Sequence, residues 1–311
     1  MSFLILAIGL VILVFAGDYL VRGAVSLAER LNISPLIIGL TIVAFGTSAP
    51  ELFVSLQAAL DEAPGIALGN VIGSNTANVL LVLGAPAVIA PLIITAKGLR
   101  GSLIYMMVLT FAFIYFMWTD ALITHLEGGI LFAGIISYLV WQFIKAKRQN
   151  ASADDDIDDM PESTSDTKKI ALFLIIGIIG LPLGAYLTVE GAEEIARAFN
   201  VSEAVIGVTI VAIGTSLPEL VTSVMAAIRR SGGVALGNVV GSNIFNIGLI
   251  MGSTALIHPL AVDPHLLNVD VPVMVGASLL VVLLAVVSRP INKFGGLLML
   301  AAYTAYIVLS F

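Results

Sequence analysis

The chain consists of long uncharged apolar runs separated by short polar segments, along nearly its whole length. Runs of about 18 or more apolar residues are long enough to cross a bilayer as helices. Because the apolar runs are continuous and show no polar/apolar alternation, a closed β-barrel is excluded. The pattern predicts ten transmembrane helices, at 2–21, 33–60, 66–91, 101–118, 128–144, 170–189, 203–228, 234–257, 271–288 and 294–311.

The composition agrees with a membrane protein. Hydrophobic residues make up 59% of the 311 residues and charged residues only 11%, whereas a soluble domain carries about 25% charged residues. The chain has no cysteine, which excludes disulfides, thiol catalysis and cysteine-bound metals. We therefore expect an all-α polytopic protein that is surrounded by the lipid bilayer, with no nucleic-acid partner and no cofactor.

The basic residues predict the orientation in the cell membrane (plasma or inner membrane). Of the 14 Lys and Arg residues, all except Arg197 lie in the segments that follow odd-numbered predicted helices, which we call the exits of those helices. Cytoplasmic loops are enriched in Lys and Arg, so these exits are predicted to be cytoplasmic and both termini to lie outside. Each half then has five helices, an odd number, and the second half enters the membrane inverted relative to the first.

A long polar stretch separates the two halves. We predict a first five-helix repeat at 1–144, an acidic cytoplasmic linker at 145–169 and a second five-helix repeat at 170–311. The run Asp154 to Asp159 supplies much of the net charge of −7. Its Asp, Ser, Thr and Pro content favours a solvated, disordered tether. A calcium-sensing or partner-binding element is the alternative, although no EF-hand loop occurs.

Two polar motifs occur twice, 168 positions apart. Each copy opens with Gly-Thr-Ser-x-Pro-Glu, which ends at Glu51 and Glu219, and closes with Gly-Asn-x-x-Gly-Ser-Asn-x-x-Asn, which ends at Asn78 and Asn246. A charge in the hydrocarbon core costs at least about 2.5–3.5 kcal/mol. No basic residue lies near mid-span to neutralise either glutamate. The doubled carboxylates therefore predict an ion pathway in which a cation or a proton supplies the counter-charge.

Helical spacing predicts oxygen ligands around the glutamates. Thr47 and Ser48 precede Glu51 by four and three positions, and therefore share its helix face. Pro50 has no amide hydrogen, which leaves a backbone carbonyl unpaired and bends the helix around 44–47. Loose backbone at membrane depth is tolerated where it lines a cavity, which suits cation coordination.

The second motif predicts a polar stripe on a helix. The spacing i, i+4, i+8 places three side chains on one face: Asn70, Ser74 and Asn78 in the first copy, and Asn238, Ser242 and Asn246 in the second. The glycines beside them let helix backbones approach closely. All of these groups offer oxygen ligands, which hard cations such as Ca²⁺ prefer, and the motifs contain no imidazole or thiolate for a transition metal.

The paired motifs resemble the two alpha-repeats of the cation/calcium antiporter superfamily, in its sodium/calcium exchanger branch, and the resemblance covers essentially the whole chain. It implies that Ca²⁺ and Na⁺ share Glu51 and Glu219 at the centre of the membrane. It further implies side-chain ligands from Thr47, Ser48, Ser74, Asn78, Thr215, Ser216 and Ser242, and backbone oxygens from Ala44 and Ala212. Asn246, which we include in the site, stands where several members carry Asp, and the missing charge counts against potassium co-transport.

These features predict a secondary-active antiporter that exchanges Na⁺ for Ca²⁺ by alternating access. Two carboxylates without a countercharge leave an empty site at −2, so only ion-loaded forms are expected to cross the membrane. Ca²⁺/H⁺ exchange remains open because a carboxylate pair also carries protons, and a passive cation channel is a further alternative. An enzyme is not expected, since an intramembrane protease is disfavoured by the lack of a His-Glu-x-x-His motif.

Overall fold

The computed structural model describes residues 1–93, 98–149, 164–199, 212–287 and 290–310, and these residues are mostly helical. The α-helices are α1 (Ser2–Leu31), α2 (Pro35–Ile38), α3 (Ala44–Thr47), α4 (Ala49–Leu60), α5 (Pro64–Leu80), α6 (Gly84–Ile89), α7 (Arg100–Asp120), α8 (His125–Gln149), α9 (Thr167–Ala198), α10 (Ala212–Thr215), α11 (Leu217–Ile228), α12 (Gly232–Phe245), α13 (Gly252–Ile257), α14 (Val271–Val287) and α15 (Lys293–Ser310). The π-helical turns are π1 (Gly39–Val43), π2 (Asn246–Met251) and π3 (Leu266–Asp270), and the strands are β1 (Leu92–Ile93), β2 (Leu122–Ile123), β3 (Leu260–Ala261) and β4 (Pro290–Ile291).

Seven of the described helical stretches are long and apolar enough to cross a bilayer. A further candidate consists of Pro35–Thr47 and Ala49–Leu60, which are bent by 45° relative to each other. Shorter apolar helices occur at Leu217–Ile228 and Lys293–Leu309. The prediction of an all-helical polytopic architecture is confirmed. The count of ten stays a prediction, because the start of the predicted seventh helix and most of the acidic linker lie outside the described residues.

Two helices exceed their predicted spans by ten residues or more. α1 has 30 residues and α9 has 32, so the predicted spans 2–21 and 170–189 end too early. The extra turns are rich in Ala, Leu, Glu and Arg, which are good helix formers although they are not all apolar. A hydropathy window finds the lipid-exposed part of such a helix and misses its polar continuation. α1 is capped at its C-terminus by Asn32, whose left-handed backbone (φ 52°) closes the last turn.

α1 and α9 pack against each other along their lengths. Glycines permit the close approach, since a Cβ added at Gly184 would lie 2.9 Å from Leu13 N. An ion pair between Asp18 of α1 and Arg229, which directly follows α11, connects this helix pair to the rest of the protein.

The four strands form two short antiparallel pairs. β1 pairs with β4 (Leu92 opposite Ile291), and β2 pairs with β3 (Leu122 opposite Ala261). Strands β1 and β3 are 168 positions apart, as are β2 and β4. The two pairs are therefore the same contact made twice with the two halves of the chain exchanged.

Candidate functional site

Both motif glutamates lie in the first turn of a helix that begins at a break. α4 begins after Ser48 (φ −82°, ψ 8°) and α11 after Ser216 (φ −86°, ψ 4°). The bend predicted from Pro50 is confirmed by the 45° angle in that span, although the helix breaks at Ser48, just beyond the predicted 44–47. A helix N-terminus carries a partial positive charge, so each break provides backbone that stabilises a nearby carboxylate.

The two carboxylates are buried and close together. Glu51 is 1% exposed and Glu219 is 0% exposed, and they are near enough to repel each other. Ser48 Oγ donates to Glu219 Oε1 at 3.2 Å, which joins the two repeats. Among the described residues, both oxygens of Glu51 and Oε2 of Glu219 have no hydrogen-bond partner, and no ion pair involves either group. The cluster therefore gathers negative charge without a basic side chain to balance it.

The Thr47 hydroxyl also contacts the opposite repeat. Thr47 Oγ1 donates to Asn238 Oδ1 at 2.9 Å, and it lies 3.4 Å from Ser242 Oγ and 3.3 Å from Ala44 O. The expectation that Thr47 and Ser48 gather on Glu51 along one helix face is thus replaced by contacts between repeats. The physical reason is the break at Ser48, which interrupts the regular helical spacing.

An asparagine of the second motif donates a hydrogen bond to the backbone carbonyl of each glutamate. Asn70 Nδ2 donates to Glu51 O at 3.1 Å and to Ser55 Oγ at 2.9 Å. The same contacts recur in the second copy, where Asn238 Nδ2 donates to Glu219 O at 3.4 Å and to Ser223 Oγ at 3.3 Å. Ser55 and Ser223 are not among the residues predicted from the sequence, although each follows its glutamate by four positions and so shares its helix face.

Replacing Asn238 by Ala is expected to lower stability more than replacing Asn70 by Ala. Asn238 is fully buried and also accepts the Thr47 hydrogen bond, whereas Asn70 is only partly buried. Leaving a buried polar group unsatisfied costs about 1–3 kcal/mol. Thermal unfolding of the two purified variants measures the difference. Equal losses of melting temperature would show that the greater burial of Asn238 does not contribute to stability.

The last asparagine of each motif also bonds across the repeats. Asn78 Nδ2 donates to Asn243 Oδ1 at 3.0 Å, and Asn246 Nδ2 donates to Asn75 Oδ1 at 3.0 Å. All four side chains are buried. Asn75 and Asn243 are not among the predicted site residues, although both copies carry an asparagine in this register.

The other predicted ligands differ between the copies. Ser48 N donates to Ala44 O at 3.1 Å, whereas Ser216 N donates to Ile213 O, also at 3.1 Å, and so the turn is tighter near Ala212. Of the remaining side chains, Ser74, Ser216 and Ser242 are buried and Thr215 of α10 is partly exposed. The Ser216 hydroxyl has no partner among the described residues.

The two motif helices α5 and α12 are unequally covered. Residues Gly69, Asn70 and Gly73 are partly exposed, whereas their counterparts Gly237, Asn238 and Gly241 are buried. α12 packs closely on α2 and π1: a Cβ added at Gly237 would lie 2.5 Å from Leu36 O and 2.8 Å from Gly39 Cα. The side of the site formed by α12 is thus tightly packed, and the equivalent side formed by α5 is more exposed.

The family model for sodium/calcium exchanger proteins matches residues 1–144 and 169–311. The chain belongs to this family. Among similar exchangers and antiporters, a putative antiporter, CaxA of Alkalimonas amylolytica, is 38% identical over 98% of this chain and 97% of its own length. The sodium/calcium exchanger MaX1 of Methanosarcina acetivorans is 34% identical, with 100% of this chain and 98% of the relative covered.

Solved structures of the sodium-calcium exchanger NCX_Mj are similar to this exchanger-family chain throughout. The structure soaked with 10 mM Na⁺ and zero Ca²⁺ has a TM-score of 0.83 at 37% identity, covering 99% of this chain and 98% of the other. The structure soaked with 10 mM Na⁺ and 10 mM Sr²⁺ has a TM-score of 0.85 at 37% identity, covering 99% and 97%.

Family membership confirms the resemblance carried by the doubled motifs. This exchanger-family protein is a multi-pass membrane transporter of the cation/Ca²⁺ antiport class, and it is not an enzyme. Its small-ion ligands are transported substrates, as predicted, and the family requires no cofactor.

Proposed function

We propose that the protein exchanges Na⁺ for Ca²⁺ at a site centred on Glu51 and Glu219. The observation that carries this proposal is the pair of buried, neighbouring carboxylates with no basic partner among the described residues. An empty site with two negative charges is costly to expose to hydrocarbon, whereas one Ca²⁺ or several Na⁺ ions neutralise it. Because both ions need the same carboxylates, binding of one requires release of the other, which is antiport.

The proposed ligands are all oxygens. Among the described residues, no group of three or more His, Asp or Glu could hold a metal ion, so neutral oxygens must complete the shell of 6–8 that Ca²⁺ takes. We assign the side chains of Glu51, Glu219, Thr47, Ser48, Thr215, Ser216, Ser74, Ser242, Asn78 and Asn246, with the backbone carbonyls of Ala44 and Ala212. Several of these oxygens, including Glu51 Oε1, Asn78 Oδ1 and Asn246 Oδ1, are buried without a partner among the described residues.

We propose Na⁺ rather than H⁺ as the counter-ion because of this neutral shell. A proton needs a single acceptor, which one carboxylate supplies. Hydroxyl, amide and carbonyl oxygens around the carboxylates suit a hard metal cation. Two proteins similar to this chain, MaX1 and NCX_Mj, are named sodium/calcium exchangers.

For the architecture we propose ten transmembrane helices in two inverted five-helix repeats, 1–144 and 170–311, joined by the cytoplasmic linker 145–169. Both termini then lie outside the cell membrane, and lipid covers the apolar surface.

Contacts between helix ends support this topology. A contact between two ends is possible only when both lie on the same side of the membrane. The described contacts join odd-numbered exits to odd-numbered exits, and even-numbered to even-numbered: Arg30 with Ser165, Lys145 with Gly98, β1 with β4, His125 with Ala255, and β2 with β3. A single missing or extra span between Arg30 and Ile291 would break this agreement.

The unequal covering of α5 and α12 supports alternating access. In the proposed orientation α5 starts at the outer surface and α12 at the cytoplasmic surface. The accessible residues Asn70 and Gly73 then lie on the outer side of the glutamates, and the buried Asn238 and Gly241 on the inner side. This conformation corresponds to an outward-facing state, and movement of one set of helices against the other exposes the site inward.

Transport in proteoliposomes distinguishes the possible counter-ions. With Na⁺ inside and none outside, ⁴⁵Ca²⁺ uptake is expected to follow the Na⁺ gradient and to stop when the gradient is collapsed. Uptake that follows a pH gradient and ignores Na⁺ would establish Ca²⁺/H⁺ exchange instead. Non-saturating ⁴⁵Ca²⁺ flux without any counter-ion would indicate a passive channel.

A further inference from the structure

The four asparagines at the centre of the protein form a reciprocal arrangement. Asn75 and Asn243 are 168 positions apart, as are Asn78 and Asn246. The bond from Asn78 to Asn243 and the bond from Asn246 to Asn75, both 3.0 Å long, are therefore one contact made twice with the repeats exchanged. None of these side chains is more than 1% exposed, so losing either hydrogen bond would leave a buried polar group unsatisfied.

Each hydrogen bond uses one end of an amide group, and so determines whether the nitrogen or the oxygen points away from the bond. A primary amide has a donating nitrogen and an accepting oxygen on opposite sides of one planar group. Asn78 and Asn246 use the nitrogen to bond to the opposite repeat, and their Oδ1 atoms have no hydrogen-bond partner among the described residues. An amide turned the other way would present N–H groups, which repel a cation.

The elements that carry these oxygens also adjoin a glutamate. π2, which begins at Asn246, packs against α4, which carries Glu51, and against α5, which carries Asn78. Asn78 and Asn246 therefore both lie on elements that pack against the helix carrying Glu51.

We propose that Asn75 and Asn243 are positioning residues of the ion site. Each accepts a hydrogen bond from the last motif asparagine of the opposite repeat, and so keeps that asparagine's oxygen available to a divalent cation. This inference rests on the proposed function. Asn75 acts on the ion through Asn246, and Asn243 acts on it through Asn78.

The specific pairing gives a test that a general structural role does not pass. In the purified full-length protein, Asn75→Ala is expected to raise the KM for Ca²⁺ by about tenfold, the effect of losing one buried hydrogen bond. In the Asn75→Ala/Asn246→Ala double variant, KM should be no higher than in Asn246→Ala alone. In Asn75→Ala/Asn78→Ala the two effects should multiply, because Asn78 is held by Asn243.

KM is obtained from ⁴⁵Ca²⁺ exchange in proteoliposomes, and the Ca²⁺-induced rise in melting temperature of the detergent-purified variants reports binding without transport. Asn75→Asp keeps an acceptor oxygen and Asn75→Leu removes it at similar size. The melting temperature of Asn75→Asp should therefore respond to Ca²⁺ more than that of Asn75→Leu. If the alanine variants of Asn75 do not fold, the same cycle is run on Asn243, with Asn78 as its partner and Asn246 as its control.

Multiplying effects in both double variants, or an unchanged KM in Asn75→Ala with a loss of ion-free stability, would overturn the positioning role. The proposed function is tested separately by Glu51→Gln. Exchange retained in Glu51→Gln refutes the carboxylate site whatever the asparagine cycle gives. An inactive Glu51→Gln together with multiplying effects in both cycles refutes only the positioning role.

Discussion

Glu51→Gln and Glu219→Gln are each expected to reduce ⁴⁵Ca²⁺ exchange by about 100-fold or more, the effect of removing one charge from a buried electrostatic interaction. Glutamine keeps the size of the side chain and removes half of the charge that attracts the cation. The ion-free variants should melt at the same or a higher temperature than the wild-type protein, because the two carboxylates no longer repel each other. Proteoliposome exchange and thermal unfolding, with and without Ca²⁺, measure the two effects.

Glu193→Gln is the matched control, because Glu193 pairs with Arg197 outside the cluster. Its exchange activity and its Ca²⁺-induced rise in melting temperature should equal those of the wild-type protein. A Glu51→Gln or Glu219→Gln protein that is still stabilised by Ca²⁺ and still exchanges it would remove the basis for the shared site.

Gly237→Ala is expected to destabilise the protein by about 1–3 kcal/mol, as overpacking does in well-packed cores. The added methyl group would lie 2.5 Å from Leu36 O and 2.8 Å from Gly39 Cα, and both are backbone atoms that cannot turn away. α12 must then move away from α2 and π1, which weakens the Thr47–Asn238 contact across the repeats. The melting temperature and the rate of exchange should both fall.

Gly276→Ala in α14 provides the comparison for this substitution. Gly276 is exposed, and a Cβ there would meet no heavy atom within 4 Å. Alanine favours a helix over glycine by up to about 1 kcal/mol, so this variant should be as stable as the wild-type protein or slightly more stable. Equal behaviour of Gly237→Ala and Gly276→Ala would show that the close approach of α12 is not required.

Hydropathy and the doubled motifs were enough to predict the helical membrane architecture and the two glutamates that the structure brings together. They did not predict the ends of α1 and α9, because helical structure continues through polar turns that a hydropathy pattern assigns to loops. The bend in the second span followed from Pro50, since the loss of one amide hydrogen is a local property. The π-helical turns were not predicted, because no local residue pattern in this chain requires them.

The contacts between the repeats at the site could not be predicted from the sequence. Spacing along one helix groups Asn70, Ser74 and Asn78 on one face, but it does not say which helix covers that face. Ser48 bonds to Glu219 and Asn78 to Asn243, partners that are 171 and 165 positions away. Such pairings depend on how the halves pack, and a single sequence carries no direct record of that packing.

The reciprocal asparagine bonds and the exchanged strand pairs have the form of an isologous dimer interface, in which residue i of one subunit contacts residue j of the other and j contacts i. It follows that the central contacts need one copy of each half but no particular covalent connection between them. In the proposed topology, residues 145–169 then raise the effective concentration of one half for the other. Two separately expressed halves together carry every residue of the central cluster, and we expect its contacts to form when the halves associate.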